Sequence, residues 1–169
     1  MGVLQNVVLL TATISTGAIA GLFYAYACSV MPGLARSSDH TFVETMQNIN
    51  RAILNPVFLL PFVGSIPLVG LAVVLAWGMP GSPALPWIIA AFLVYVVAFL
   101  MTMVVNVPLN NALDVAGDPD TITDLAAVRA RFEDSWVRWN NLRTLAHTVA
   151  FGLLAWALVA HGALSSAEA

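Results

Sequence analysis

The residues best suited to chemistry lie on one stripe of a predicted helix in the last quarter of the sequence. Trp136, Asn140, Arg143 and His147 follow one another at steps of four, three and four, so a helix places them on one side. The next residues, 148–160, carry no charge. Arg143 and His147 therefore enter an apolar layer, where ionisable side chains are costly and usually face the interior of a bundle. A histidine can serve there as a base, and an arginine as a donor to a developing oxyanion.

The composition indicates an integral membrane protein. The chain has 169 residues, of which 60% are hydrophobic and 9% are charged, far from the values of soluble domains. All six basic residues are arginines, and the net charge of −3 does not suggest nucleic acid as a partner. The lone Cys28 excludes an intramolecular disulfide.

Four segments are long and apolar enough to cross a bilayer, at about 5–30, 52–77, 87–109 and 142–161, and Arg143 in the last of them is their one charged residue. The first of them is expected to be a span and not a cleaved signal peptide, because no basic residue precedes it. The segment of about 124–140 alternates apolar and charged residues at helical spacing, which predicts an amphipathic interfacial helix. The prediction is a single all-α domain, 1–169: an integral membrane antiparallel four-helix bundle with an extra interfacial helix before the fourth span.

The arginines predict the orientation of this bundle. All of them lie in or beside the first and third connections, and none lies near the N-terminus, the middle turn or the tail. Connections rich in arginine usually stay in the cytoplasm. We therefore expect a multi-pass protein of the cell membrane with both termini outside the cytoplasm.

Polar residues cluster at one end of every predicted span. An antiparallel bundle brings these four sets to one depth, which predicts a polar pocket with aromatic walls. The candidates are Tyr24, Tyr26, Asn48, Asn55, Asn106, Asn110, Trp136, Trp139, Asn140, Arg143 and His147.

Two other interpretations of these residues remain open. Asparagines also hold membrane helices together by hydrogen bonds, and tryptophans and tyrosines mark membrane interfaces, so part of the set fits a structural role. Cys28 and Met31, with His147 facing them, would form a soft ligand set of the kind copper(I) accepts. No second histidine or carboxylate stands at ligand spacing, so we predict no metal site and no cofactor.

The chain resembles the anthrone-oxygenase-like family of small membrane proteins. The resemblance extends over nearly the whole sequence. It rests on a tyrosine-rich segment before Met31-Pro32, on Gln47-Asn48-Ile-Asn50 with Asn55-Pro56, on Asn106-Val-Pro-Leu-Asn110, and on Trp136-x-x-Trp139-Asn140 with Arg143.

This resemblance implies the oxidation of an anthrone to an anthraquinone by O2 without a cofactor. Chemical reasoning then assigns His147 as the base, Arg143, Asn140 and Asn106 as oxyanion donors, and the aromatic residues as walls. The expected partners are the lipid bilayer and a lipophilic aromatic small molecule, and the sequence leaves room for a homo-oligomer. The alternative is a non-catalytic bundle that binds a quinone-like or lipid ligand or supports a partner membrane protein.

Overall fold

A computed structural model describes residues 2–79 and 81–167 of the chain, and the side chains of residues 3–79 and 81–163. Every regular element in this part is helical. The elements are α1 (Gly2–Ala25), a π-helical segment π1 (Tyr26–Val30), α2 (Met31–Leu34), α3 (Asp39–Ala52), α4 (Pro56–Trp77), α5 (Leu85–Met101), a second π-helical segment π2 (Thr102–Asn106), α6 (Val107–Val115) and α7 (Leu125–Ala167).

These helices form the predicted membrane bundle. Four stretches are long and apolar enough to cross a membrane: Val3–Leu34, Pro56–Trp77, Leu85–Val115 and Leu125–Ala163. Both α1 and α5 pack against α4 and α7, so the four spans close into a ring. The predicted all-helical fold class is confirmed, and α3 adds a further helix between the first two spans.

The segment of about 124–140 does not form a separate interfacial helix. It continues directly into the fourth span as part of α7, and the reason is local. No glycine or proline occurs between Leu125 and Phe151 to break the helix. The carboxylate of Asp124 accepts a hydrogen bond from the Ala127 N–H at 2.9 Å, which caps the start of α7. Its first turns bury Phe132 and Trp136 against Phe42 and Met46 of α3.

The two ends of the bundle pack differently. At the end that holds the helix termini Gly2 and Trp77, the core consists largely of small residues, among them Ala12, Ala72, Ala76, Ala84 and Ala157, which allow the helices to approach closely. At the other end the core contains large aromatic side chains, including Phe42, Phe132 and Trp136. A cavity lies near this end, and Trp136 is part of its lining.

Arg129 connects α7 to the loop between α2 and α3. Its guanidinium donates to the backbone oxygens of Ala35 and Ser37, each at 3.0 Å, and to the carboxylates of Asp39 at 3.0 Å and Glu133 at 2.6 Å. It also lies 4.5 Å from the centre of the Phe42 ring. The Arg129 side chain is 14% exposed and that of Glu133 is 20% exposed, whereas that of Asp39 is 41% exposed, so solvent screens the ion pair with Asp39 more than the one with Glu133.

Replacing Arg129 should therefore destabilise the polar end of the bundle. Arg129→Gln leaves two backbone acceptors and two partly exposed carboxylates without their shared donor, and we expect a loss of about 1–2 kcal/mol in the free energy of unfolding. Arg138→Gln, which changes an exposed arginine of the same helix, is the control and should cost under about 0.5 kcal/mol. Unfolding in detergent micelles measures both variants, and equal midpoints would contradict the assigned role of Arg129.

The orientation in the membrane is a separate prediction from the arginines. In a Cys28→Ala background, a membrane-impermeant maleimide applied to intact cells should label Ala163→Cys and leave Asp120→Cys unlabelled. Both positions are exposed in the structure, so access does not differ for structural reasons. Labelling of Asp120→Cys without labelling of Ala163→Cys would reverse the predicted topology.

Candidate functional site

A cavity of about 350 Å³ lies between α4 and the third span, near the end of the bundle that carries the charges. Its walls are mainly aromatic and aliphatic. The α4 side contributes Phe58, Leu59, Phe62 and Val63, and the opposite side contributes Phe99, Thr102, Met103, Val107 and Asn110. Phe23 and Tyr26 from the first span and Trp136 and Arg143 from α7 also line the cavity, and Asn50, Arg51 and Asp114 line its polar end. The volume lies within the range of small-molecule pockets.

Arg143 is the buried cation of this cavity. It is only 5% exposed, and its Nε and Nη2 atoms donate to Oδ1 of Asn140 at 3.1 and 3.0 Å. The guanidinium carbon lies 4.1 Å from the centre of the Phe23 ring and 5.2 Å from that of Trp136. No Asp or Glu of the described residues forms an ion pair with it. Arg143 is thus held by an amide oxygen and two ring faces without a neutralising carboxylate.

Asn140 holds Arg143 from one turn earlier in α7. It is fully buried, and its amide nitrogen donates to the backbone oxygen of Phe23 at 3.4 Å. A guanidinium can only donate, so the amide oxygen must face Arg143 and the nitrogen must face α1. Asn140 therefore positions the arginine and joins α7 to the first span at the same time.

Trp136 holds a second asparagine at the cavity. Its indole N–H donates to Oδ1 of Asn110 at 2.7 Å, and its ring lies 5.8 Å from that of Tyr26. An indole N–H is only a donor, which fixes the amide oxygen of Asn110 on this bond. The amide nitrogen of Asn110 remains available as a donor at the cavity lining.

His147 lies behind the cavity wall. It is fully buried, and its Nδ1 is 2.7 Å from the backbone oxygen of Arg143. A carbonyl oxygen only accepts, so Nδ1 carries the proton, and Nε2 is buried without a partner. The ring lies 5.0 Å from Phe23, 6.4 Å from Phe62 and 4.9 Å from Tyr95. Phe23 and Phe62 also line the cavity, so their rings separate His147 from it.

Two π-helical segments place residues at the cavity in a way that the sequence reading missed. In each, the N–H of the residue just before a proline reaches back five residues: Met31 to Tyr26, and Val107 to Thr102. Single π turns inside α-helices often occur at functional sites. Tyr26 and Thr102, the first residue of each segment, line the cavity. The available signal was the pair of prolines, Pro32 and Pro108, near the ends of otherwise regular spans.

Four predicted residues line the cavity, namely Tyr26, Asn110, Trp136 and Arg143. Asn106 and Asn140 are fully buried beside it. The amide nitrogen of Asn106 lies 3.5 Å from the backbone oxygen of Trp136, and its Oδ1 has no partner. Phe23, Phe58, Phe62, Phe99, Asn50 and Thr102 were not predicted and also line the cavity. Phe58 and Phe62, spaced by one helical turn after Asn55-Pro56, carried a signal that could have been read.

The remaining predicted residues lie elsewhere. Tyr24 is 60% exposed and Asn48 is exposed. Asn55 caps α4: its oxygen accepts from the N–H groups of Val57 and Phe58, and its nitrogen donates to the Ala52 oxygen. Trp139 is half-buried on α7.

The soft metal set has no support in the geometry. Cys28 is exposed and its thiol lies 3.9 Å from the Ala25 oxygen. Met31 packs with Phe42 and Trp136, whereas His147 packs with other aromatic rings. Within residues 2–79 and 81–167, no three His, Cys, Asp or Glu side chains come together as a metal site.

The fold and the cavity define a class of protein: a small helical membrane bundle with an aromatic internal pocket around a buried arginine. A family model described as anthrone oxygenase matches residues 58–153, which is more than half of the chain. The chain belongs to the anthrone oxygenase family. The matched region contains Asn106, Trp136, Asn140, Arg143 and His147. No curated protein and no solved structure matches the chain.

The bond between Arg143 and Asn140 predicts a non-additive pair of substitutions. Asn140→Leu leaves a buried guanidinium without its acceptor, and Arg143→Met leaves a buried amide oxygen without its donors, so each should cost about 3 kcal/mol in unfolding free energy. The double variant replaces both polar groups by apolar ones and should cost clearly less than the sum of the two. Unfolding in detergent gives all three values, and strict additivity would show that the two side chains do not support each other.

Proposed function

We propose that the cavity is the site at which an anthrone-type aromatic substrate is oxidised by O2. The observation that carries this proposal is the buried cation of Arg143 at the wall of an aromatic pocket. An oxygenase without a cofactor must stabilise negative charge on the substrate and exclude water, and a preorganised donor in an apolar cavity serves both needs. Membership of the anthrone oxygenase family supports the reaction class.

The outer rim of the cavity favours a lipophilic substrate. Leu59, Val63 and Met103 line the cavity and are also 38%, 47% and 44% exposed, on stretches apolar enough to lie in the membrane. A substrate dissolved in the bilayer can therefore enter sideways between α4 and the third span. At the polar end, Arg51 and Asp114 form an ion pair at 2.7 Å beside the cavity. The proposed partners are thus the bilayer and a planar aromatic molecule within it.

The proposed reaction converts the CH2 group of the central ring to a carbonyl. A base removes one proton from this carbon, and the delocalised carbanion passes one electron to O2. The resulting radical pair combines to form a C–O bond and a peroxide, which takes up a proton. Loss of the second C–H proton with cleavage of the O–O bond gives the quinone and one molecule of water. One O2 is consumed per anthrone, and no further oxidant is needed.

Arg143 and Asn110 present donors to the cavity in this scheme, and Asn140 positions Arg143. The oxygen of Asn140 is bound by the guanidinium and its nitrogen by the Phe23 carbonyl, so the geometry favours a positioning role over direct donation. Asn106, whose nitrogen faces the Trp136 carbonyl, similarly supports α7 from π2. Phe23, Trp136 and Tyr26 provide ring faces for the substrate.

His147 is the proposed base because its Nε2 is unprotonated, buried and without a partner. A base must come within hydrogen-bond reach of the proton that it removes. The rings of Phe23 and Phe62 separate Nε2 from the cavity, so one of them must rotate aside when substrate binds. This enclosure of His147 is also the observation that favours a second candidate function, in which the cavity binds a quinone-like ligand without reaction.

The test is the O2-dependent oxidation of an anthrone such as emodin anthrone by purified protein, with spontaneous oxidation subtracted. His147→Ala and His147→Gln should lower the rate by about a hundredfold to ten-thousandfold, as expected for loss of a general base. His161→Ala is the matched control, because His161 is also buried but pairs with Asn6, near the other end of the bundle. Full activity in both His147 variants would exclude His147 as the base. No wild-type conversion above background would favour the binding-only function.

A further inference from the structure

We infer that the cavity selects its substrate in the ionised form: a planar hydroxyaromatic ketone bound as a monoanion, with its charged oxygen on Arg143. The inference rests on the proposed function and specifies the substrate class of the same site. Its evidence is the charge balance of the cavity and the polarity of the groups that line it.

The cavity lining carries one uncompensated positive charge. Three charged residues contribute to it, namely Arg51, Asp114 and Arg143. Asp114 accepts hydrogen bonds from Arg51 at 2.7 Å, so these two neutralise each other at the polar end. Arg143 is deeper, is 5% exposed, and has no carboxylate partner among the described side chains. One anion bound beside Arg143 would balance the charge of the site.

The neutral groups around Arg143 do not replace such an anion. Asn140 offers a single amide oxygen, which carries only a partial charge, and the two ring faces of Phe23 and Trp136 are weaker partners than a carboxylate. A buried cation without a counter-ion is costly, because the low-dielectric surroundings replace water poorly. The ionised substrate is therefore attracted by the charge of Arg143, whereas the neutral substrate lacks this attraction.

Two amide nitrogens of the cavity lining have no hydrogen-bond acceptor among the described residues. The indole of Trp136 donates to the oxygen of Asn110, and the amide nitrogen of Asn110 has no hydrogen bond to another described residue. The amide nitrogen of Asn50, another lining residue, is buried without a partner. A ligand that satisfies these groups must bring acceptors at more than one position. An aromatic ketone with an ionised hydroxyl does so, whereas its apolar body fits against Phe58, Phe62 and Phe99.

This selection has a chemical consequence for oxidation. An ionised hydroxyl conjugated with the ring system raises the electron density of the rings. The ionised molecule therefore transfers an electron to O2 more easily than the neutral molecule does. The same preference makes the phenolate of a hydroxyanthraquinone, the product class, a good ligand. A product of this kind is coloured, and its absorbance changes when the phenol ionises, so it reports its own protonation state in the cavity.

The experiment is a pH titration of 2-hydroxyanthraquinone by absorbance, with the purified full-length protein in detergent and with empty micelles. Binding next to an unpaired arginine should lower the pKa of the bound probe by about one to three units relative to micelles. Arg143→Gln should abolish this shift, and Arg143→Lys should keep part of it because the charge remains. Arg138→Gln, at an exposed position on the same helix, should leave the shift unchanged.

A second variant covers the case in which Arg143→Gln does not fold. The double variant Asn140→Leu/Arg143→Met removes the charge and its acceptor together and should also abolish the shift. Oleate tests the other source of an anion, a lipid carboxylate. It should compete with the probe at least tenfold more weakly than a second hydroxyanthraquinone.

Each result decides the inference separately from the proposed reaction. A probe that fails to bind, or that binds with an unshifted pKa in wild type, overturns it, and so does an equal shift without Arg143. Equal competition by oleate overturns the aromatic class. A lowered pKa of the bound probe without oxidation of the anthrone supports binding of an anion at Arg143 and contradicts the proposed oxygenase activity. Oxidation of the anthrone without a shift in the pKa of the probe supports the oxygenase activity and contradicts binding of the ionised form.

Discussion

The burial of one guanidinium organises the functional half of this protein. Arg143 cannot be surrounded by apolar side chains alone, so the bundle supplies an amide oxygen from Asn140 and ring faces from Phe23 and Trp136. Two of these partners are fixed in turn: the Asn140 amide donates to the first span, and the Trp136 indole donates to Asn110 on α6. Three spans thereby take positions set by a single cation. Because no carboxylate among the described residues pairs with Arg143, its positive charge is available to an anionic ligand.

The space for that ligand comes from the helices themselves. At one end the core of the four spans is rich in alanine, and the other end contains aromatic side chains and the two π-helical turns. A proline removes one backbone donor, and the widened turn before it accommodates the change. Both π segments begin with a residue that lines the cavity, Tyr26 and Thr102. A proline near the end of a span can thus mark a π-helical turn that changes the direction of side chains, and not only the end of a helix.

Hydropathy was sufficient to predict the spans, because only apolar stretches of this length satisfy a bilayer. The stripe from Trp136 to His147 was also recognised from spacing, and its members are indeed buried. The structure adds that the stripe does not meet the cavity along its whole length. The eleven residue steps from Trp136 to His147 extend about 16 Å along the helix. Trp136 and Arg143 line the cavity, whereas His147 lies behind the rings of Phe23 and Phe62.

Other parts could not be read from polarity. Asn55 looked like a pocket residue, but an asparagine followed by proline is also a helix start, and its amide is fully used in capping α4. The phenylalanines of the wall carry no polar signal. The spacing of Phe58 and Phe62 by one helical turn places them on one face of α4, but the packing of α4 against α5 is what shows that this face lines the cavity. The helix α7 is continuous because no glycine or proline interrupts it between Leu125 and Phe151. The change from amphipathic to apolar sequence within this stretch suggested two separate helices instead.

The central claim is that an aromatic anion occupies the cavity with its oxygen on Arg143. A crystal structure grown in a lipid phase with a bound hydroxyanthraquinone tests it most directly. The account predicts the ring system between α4 and the third span, against Phe58 and Phe62, with an oxygen within hydrogen-bond distance of the Arg143 guanidinium. A ligand bound outside this cavity, or one inside it whose oxygens point away from Arg143, would contradict the account.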